Sequence, residues 1–107
     1  MKTTTNSYTY NTGRSAKENW QLLDKAEPFD IWFHLNNQSS PYVILEIRDN
    51  NEVPYEALIE GARLCKQYSK AKNDKSVKVI YCPVENLKKG KNLGQVTLSK
   101  PPKELAV

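Results

Sequence analysis

Asp30-Ile31-Trp32-Phe33-His34-Leu35, followed after a polar bridge by the segment from Pro41 to Arg48, decides the fold. Both runs are too short and too rich in aromatic and branched side chains for helices, and they read as strands. The bridge, Asn36-Asn37-Gln38-Ser39-Ser40, makes an antiparallel hairpin the simplest connection. Because side chains alternate along a strand, Ile31, Phe33 and Leu35 are sent to one face and Asp30, Trp32 and His34 to the other. Val43, Leu45 and Ile47 oppose Tyr42, Ile44 and Glu46 in the same way.

Toward the N-terminus, residues 1–7 are polar and expected to fray, and Tyr8-Thr9-Tyr10 has the content of a short strand that Gly13 ends. Ser15-Ala16-Lys17-Glu18 matches a capping box, in which the serine oxygen accepts from the N3 amide and the glutamate reaches back to the cap amide. The helix it opens carries an apolar stripe, Ala16, Trp20 and Leu23, and ends near Ala26 because Pro28 cannot continue it.

Toward the C-terminus, Asp49-Asn50-Asn51 reads as a turn and Pro54 as the first helical residue of a second helix. Its packing stripe joins Ala57, Gly61, Leu64 and Tyr68 with Leu58, Ala62 and Cys65, leaving Glu56, Glu60, Arg63 and Gln67 toward water. Val77 to Cys82 is a strong strand candidate and Gln95 to Leu98 a weaker one, with a basic stretch from Asn86 to Gly94 between them. A short last strand is expected over Glu104 to Val107. The expected architecture is α+β: one domain over residues 1–107, with two helices packed on a mostly antiparallel sheet.

Composition narrows the function classes. At 107 residues there is room for one core, and 38% hydrophobic with 26% charged residues suits a folded chain. No run approaches the roughly 18 apolar residues of a membrane span, and the start has no signal-peptide segment. An intracellular, cytoplasmic protein without a membrane partner is expected. Cys65 and Cys82 lack neighbouring ligands and there is one histidine, so no metal or other cofactor is expected. The net charge of +4 is uneven: residues 1–53 hold 5 basic and 7 acidic side chains, residues 54–107 hold 11 and 5. Such asymmetry suits a polyanion, although surface lysines also serve only to solvate a small domain.

Individual residues bear on the chemistry unequally. Asp30 and Glu46 are the one carboxylate pair expected on neighbouring strands, and His34 the one candidate base, but no nucleophile motif accompanies them and no enzymatic role is expected. Trp32, His34 and Tyr42 share a face, where rings stack on unpaired bases; the competing reading for Trp32, which is preferred, is burial as core. Lys88-Lys89-Gly90-Lys91, expected in a loop between strands, can converge on phosphate, as can Lys66, Lys70 and Lys72 at the end of the second helix. Arg14 and Asn19 stand at the start of the first helix, where free amides and the positive dipole end favour an anion.

The order of these motifs resembles the NFACT-R family. Gly13-Arg14 with Asn19 is similar to the glycine-arginine and asparagine signature that opens that domain, and Asp30-Ile31-Trp32-Phe33-His34 to its aspartate-x-tryptophan-x-histidine strand. A small-residue turn at Ser39-Ser40 and a helix ending in Tyr68-Ser69-Lys70 follow. The stretch from Val79-Ile80-Tyr81-Cys82-Pro83 through Asn86-Leu87-Lys88-Lys89 to Gly94-Gln95-Val96 resembles the eukaryotic coiled-coil relative, which is associated with DNA binding. The resemblance runs from about Tyr8 to the end. It implies RNA binding, with tRNA or rRNA as partner and a link to the ribosome and its quality control, as in the NEMF and RqcH type. It does not imply tail synthesis, for which the other NFACT modules are required. Two departures stand out: Ser15 replaces the usual asparagine, and Tyr42 the histidine after the small-residue turn. Tyrosine keeps a ring and a hydroxyl, so binding can survive where proton transfer would not. A protein-interaction adaptor and a duplex DNA binder are the rival readings.

Overall fold

The computed structural model describes residues 1–48 and 52–107, so the turn expected at Asp49-Asn50-Asn51 lies outside the described residues. The elements run β1 (Lys2–Thr5), β2 (Tyr8–Gly13), α1 (Ala16–Lys25), β3 (Ile31–Leu35), β4 (Tyr42–Leu45), α2 (Tyr55–Gln67), β5 (Lys78–Pro83), β6 (Leu87–Lys89), β7 (Val96–Leu98) and β8 (Lys103–Ala106). Six strands form an antiparallel sheet in the order β1-β2-β4-β3-β5-β8, and β6 pairs with β7 in a separate hairpin. The fold is α+β, two helices on a mostly antiparallel sheet.

The alternation read from the sequence separates two apolar layers. Phe33, Leu35, Val43 and Leu45 join Tyr10, Val79 and Leu105 under α2, which contributes Ala57, Ala62, Leu64 and Cys65. On the opposite face Trp32, Tyr42, Ile44 and Cys82 are covered by Leu22, Leu23 and Ala26 of α1 and its end, and by Leu87, Val96 and Leu98 of the β6–β7 hairpin. Burying each of the large side chains contributes about 1.5–3 kcal/mol, so both layers hold the sheet. Gly61 lets α2 lie close: a Cβ there would stand 2.5 Å from the Phe33 ring.

Four local expectations need correction. Residues 1–7 do not fray: Lys2–Thr5 pair with β2 through a two-residue turn in which Asn6 and Ser7 both have positive φ, 51° and 71°. Their β-branched threonines suit a strand, and an Asn-Ser turn takes the place of the commoner Asn-Gly. Pro54 is the N-cap of α2 rather than its first helical residue. In α1, Ser15 does accept from the Glu18 amide at 3.1 Å, but the Glu18 carboxylate reaches the Arg14 amide, one residue beyond the cap. Finally, the buried residue of α1 is Asn19, not its apolar stripe; Ala16 is exposed.

Candidate nucleic-acid interface

The start of α1 is fixed by close packing on the end of β2 and by one polar contact to β4. Gly13 has no Cβ to collide with Asn19, so α1 packs against the strand, and the buried Asn19 Oδ1 accepts from the Tyr42 amide at 3.2 Å. Arg14 follows directly and stays exposed, its guanidinium 5.4 Å from the centroid of the Tyr68 ring, a cation–π contact that holds it at a rim. Across that rim lies an open pocket of about 540 Å³ lined by Arg14, Asn19, His34, Tyr42 and Lys70, together with Ser39, Ser40, Tyr68, Ser69 and Gly94. Arg14, Asn19, His34, Tyr42 and Lys70, named from the sequence for binding, therefore meet in one place.

Beneath them is an aromatic stack. His34 lies parallel to Trp32, with centroids 5.6 Å apart and planes 10° apart, and Tyr42 meets both rings edge-on. Trp32 is 2% exposed, which corrects its place among the base-stacking candidates: no base can reach it. It carries His34 instead. Tyr42 is equally buried; its hydroxyl donates to the Gly94 carbonyl at 2.5 Å, and burial pushes its pKa up to about 12, so it keeps that proton. Tyr42 thus lines the pocket and ties the β6–β7 hairpin to the sheet, but presents no ring face for stacking.

The His34 Nδ1 lies 2.7 Å from the Leu35 carbonyl. A carbonyl only accepts, so Nδ1 carries the ring proton. Burial lowers the His34 pKa, partly opposed by that same hydrogen bond, and the ring is neutral near pH 7. Asp30 does not face it. The buried Asp30 carboxylate accepts from the Ile47 amide at 3.0 Å and the Glu27 amide at 2.9 Å, and Glu46 accepts from Asn11 at 2.7 Å. Those contacts account for the two carboxylates as braces of the strand ends.

The remaining lysines separate. Lys66 donates to the Val107 carbonyl at 3.3 Å and lines, with Lys72 and Arg63, a different hollow between α2 and β8. Lys88 and Lys89 belong to β6 rather than to a loop, correcting the sequence reading, and Gly90 and Lys91 enter the turn. Lys89 is engaged, 2.5 Å from the Asp24 carboxylate and 5.1 Å from the centroid of the Trp20 ring. Lys88 and Lys91 are exposed. Sequence reasoning gave no site role to Tyr68 or Gly94; the signals that could have found them were Tyr68-Ser69-Lys70 and Gly94-Gln95-Val96.

The family profile described as "NFACT protein RNA binding domain" matches residues 1–99. A coiled-coil domain-containing protein 25 homolog of Dictyostelium discoideum is 40% identical over 85 residues, covering 74% of this chain and 41% of that protein. Coiled-coil domain-containing protein 25 of Mus musculus is 36% identical over 87 residues, covering 78% and 42%. The chain thus spans about two fifths of the length of these relatives. Its fold matches the C-terminal part of the fibronectin/fibrinogen-binding protein from Streptococcus suis with a TM-score of 0.87 at 26% identity, covering 99% of this chain and 43% of that one. With its motifs assembled around one pocket and the profile matched over nearly its whole length, the chain belongs to the NFACT RNA-binding domain family, whose role is nucleic-acid binding.

Proposed function

We propose that the chain is a cytoplasmic, non-catalytic module that grips the backbone of structured RNA, tRNA or rRNA, at the pocket beside Arg14. The observation that carries this reading is the convergence there of Arg14, Lys70 and the N-terminal end of α1, all attractive to phosphate. Backbone contacts of this kind position an RNA without reading its sequence. Ribosome-associated quality control is assigned on the family resemblance alone. The measurement that tests the reading is equilibrium binding to tRNA, single-stranded RNA and duplex DNA over a salt series. Preferential, salt-dependent affinity for tRNA supports it, and absence of salt-dependent affinity for any nucleic acid removes it. The Streptococcus suis protein is named for binding fibronectin and fibrinogen, both proteins, which favours a protein-interaction adaptor as the second reading. An adaptor would show that second result.

Two substitutions refine the test. Arg14→Gln removes an exposed cation and one cation–π contact, so it is expected to lower RNA affinity severalfold while costing about 0.5–1 kcal/mol of stability. A melting temperature that collapses with affinity unchanged would make Arg14 structural. On the β6–β7 hairpin, Lys88→Gln with Lys91→Gln is expected to flatten the slope of log affinity against log salt for single-stranded RNA by about 1.4, at roughly 0.7 per phosphate contact. Adding Lys89→Gln should flatten it little further, because Asp24 already holds that ammonium.

A further inference from the structure

The pocket holds one polar atom that phosphate does not satisfy. The Ser40 hydroxyl donates to the Pro41 carbonyl at 3.0 Å, the Ser69 hydroxyl to the Lys66 carbonyl at 2.8 Å, and the Tyr42 hydroxyl to the Gly94 carbonyl. Those protons are spent inside the protein. Arg14 and Lys70 remain as cationic donors. His34 differs from them in kind. Its Nδ1 proton is committed to Leu35, and its Nε2 has no partner among the described residues. In a neutral ring with Nδ1 protonated, Nε2 is a lone-pair acceptor. A phosphate group, acceptor only, cannot pair with it, and repels it.

We infer that His34 Nε2 accepts a hydrogen bond from a ribose 2′-hydroxyl, making His34 the residue by which the pocket prefers RNA to DNA. The inference rests on the backbone-gripping role proposed above and adds the feature of the sugar that is read. The ligand it fits is a ribose-phosphate unit, with the phosphate on Arg14 and Lys70 and a hydroxyl donor on the imidazole. The 2′-hydroxyl is the group that distinguishes RNA from DNA at a single site. The ring is already oriented for that contact, because it is stacked on the buried Trp32 and fixed in tautomer by Leu35, so little freedom is lost on binding. Burial also keeps it uncharged near neutrality.

The probes are single-stranded oligonucleotides of one sequence as RNA, as DNA and as fully 2′-O-methylated RNA, which keeps the ribose-like pucker but lacks the donor. Wild type is expected to bind the RNA about fivefold more tightly than the other two, the effect of one net hydrogen bond. His34→Phe keeps a ring on Trp32 and deletes both nitrogens; RNA affinity should fall to that of DNA, with DNA affinity unchanged. His34→Gln, which can still present an oxygen acceptor, should recover part of the preference. Equal binding of all three probes by wild type, or a proportional loss on RNA and DNA in His34→Phe, overturns the inference while leaving the phosphate reading intact. Failure to bind any of them also overturns the inference, and the phosphate reading falls with it only where tRNA and duplex DNA are not bound either.

Discussion

Trp32→Ala is expected to lower stability by about 3–5 kcal/mol, the usual cost of truncating a large buried aromatic ring. That is a large part of the about 5–15 kcal/mol available to a domain. At roughly 4–8 °C per kcal/mol, the melting temperature falls by tens of degrees. The site of damage is the layer between the sheet and α1, where Trp32 touches His34 and Tyr42 and the β6–β7 hairpin closes over Ile44 and Cys82. Chemical denaturation of the variant gives the magnitude. A companion measurement separates support from recognition: in a Trp20→Phe background Trp32 is the only tryptophan, and its buried ring should show blue-shifted emission that RNA does not quench. Strong quenching on saturation with RNA would make Trp32 a stacking residue after all.

Much of this layer was legible in the sequence. Period-two alternation in residues 30–35 and 41–48 separated Phe33, Leu35, Val43 and Leu45 from Trp32, Tyr42 and Ile44, and the two sets are the two cores. Proline and cap signals bounded α1 at both ends and α2 at its start to within a residue, but α2 ends at Gln67, so Lys70 and Lys72, read as part of its end, lie in the turn beyond it. Such signals are local, which is why one chain suffices to read them. What failed was of two kinds. The polar strand β1 has no apolar pattern of its own and exists because β2 offers it an edge to pair with, so pairing rather than periodicity decides it. The polar Asn19 is buried in α1 because two distant backbone segments, at Gly13 and Tyr42, meet at its side chain.

The pocket shows the same division. Arg14, Asn19, His34, Tyr42 and Lys70 were found individually from residue type and family motif, whereas their convergence follows from β3 and β4 pairing beside the end of β2. Charge counting did less well. It treated Lys88, Lys89 and Lys91 as equivalent, but strand β6 sets Lys89 against Asp24 of α1, and sequence separation hides such a pair. A lysine run reports available charge, not free charge.

The Gly13→Ala substitution is expected to cost about 2–6 kcal/mol, summing overpacking of about 1–3 kcal/mol with a buried amide left unpaired at about 1–3 kcal/mol. The added Cβ would stand 2.3 Å from Asn19 Oδ1 and 3.0 Å from the Asn19 backbone nitrogen. Asn19 must swing away, and the Tyr42 amide then loses the oxygen that satisfies it. α1 must also retreat from β2, carrying Ser15 and the free amides of its first turn away from Arg14 and Lys70. Stability and RNA affinity should therefore fall together, with affinity measured at a temperature where the variant is still folded. A double-mutant cycle identifies the cause. In an Asn19→Ala background the side-chain clash is gone and the Tyr42 amide is already unpaired, so Gly13→Ala should cost substantially less, the backbone contact alone remaining. Additive losses in stability would show that Gly13 and Asn19 are not coupled. In that case the glycine would act through the strand end alone, and the Gly13-Arg14 and Asn19 motif would be two features rather than one joint that sets α1 over the pocket.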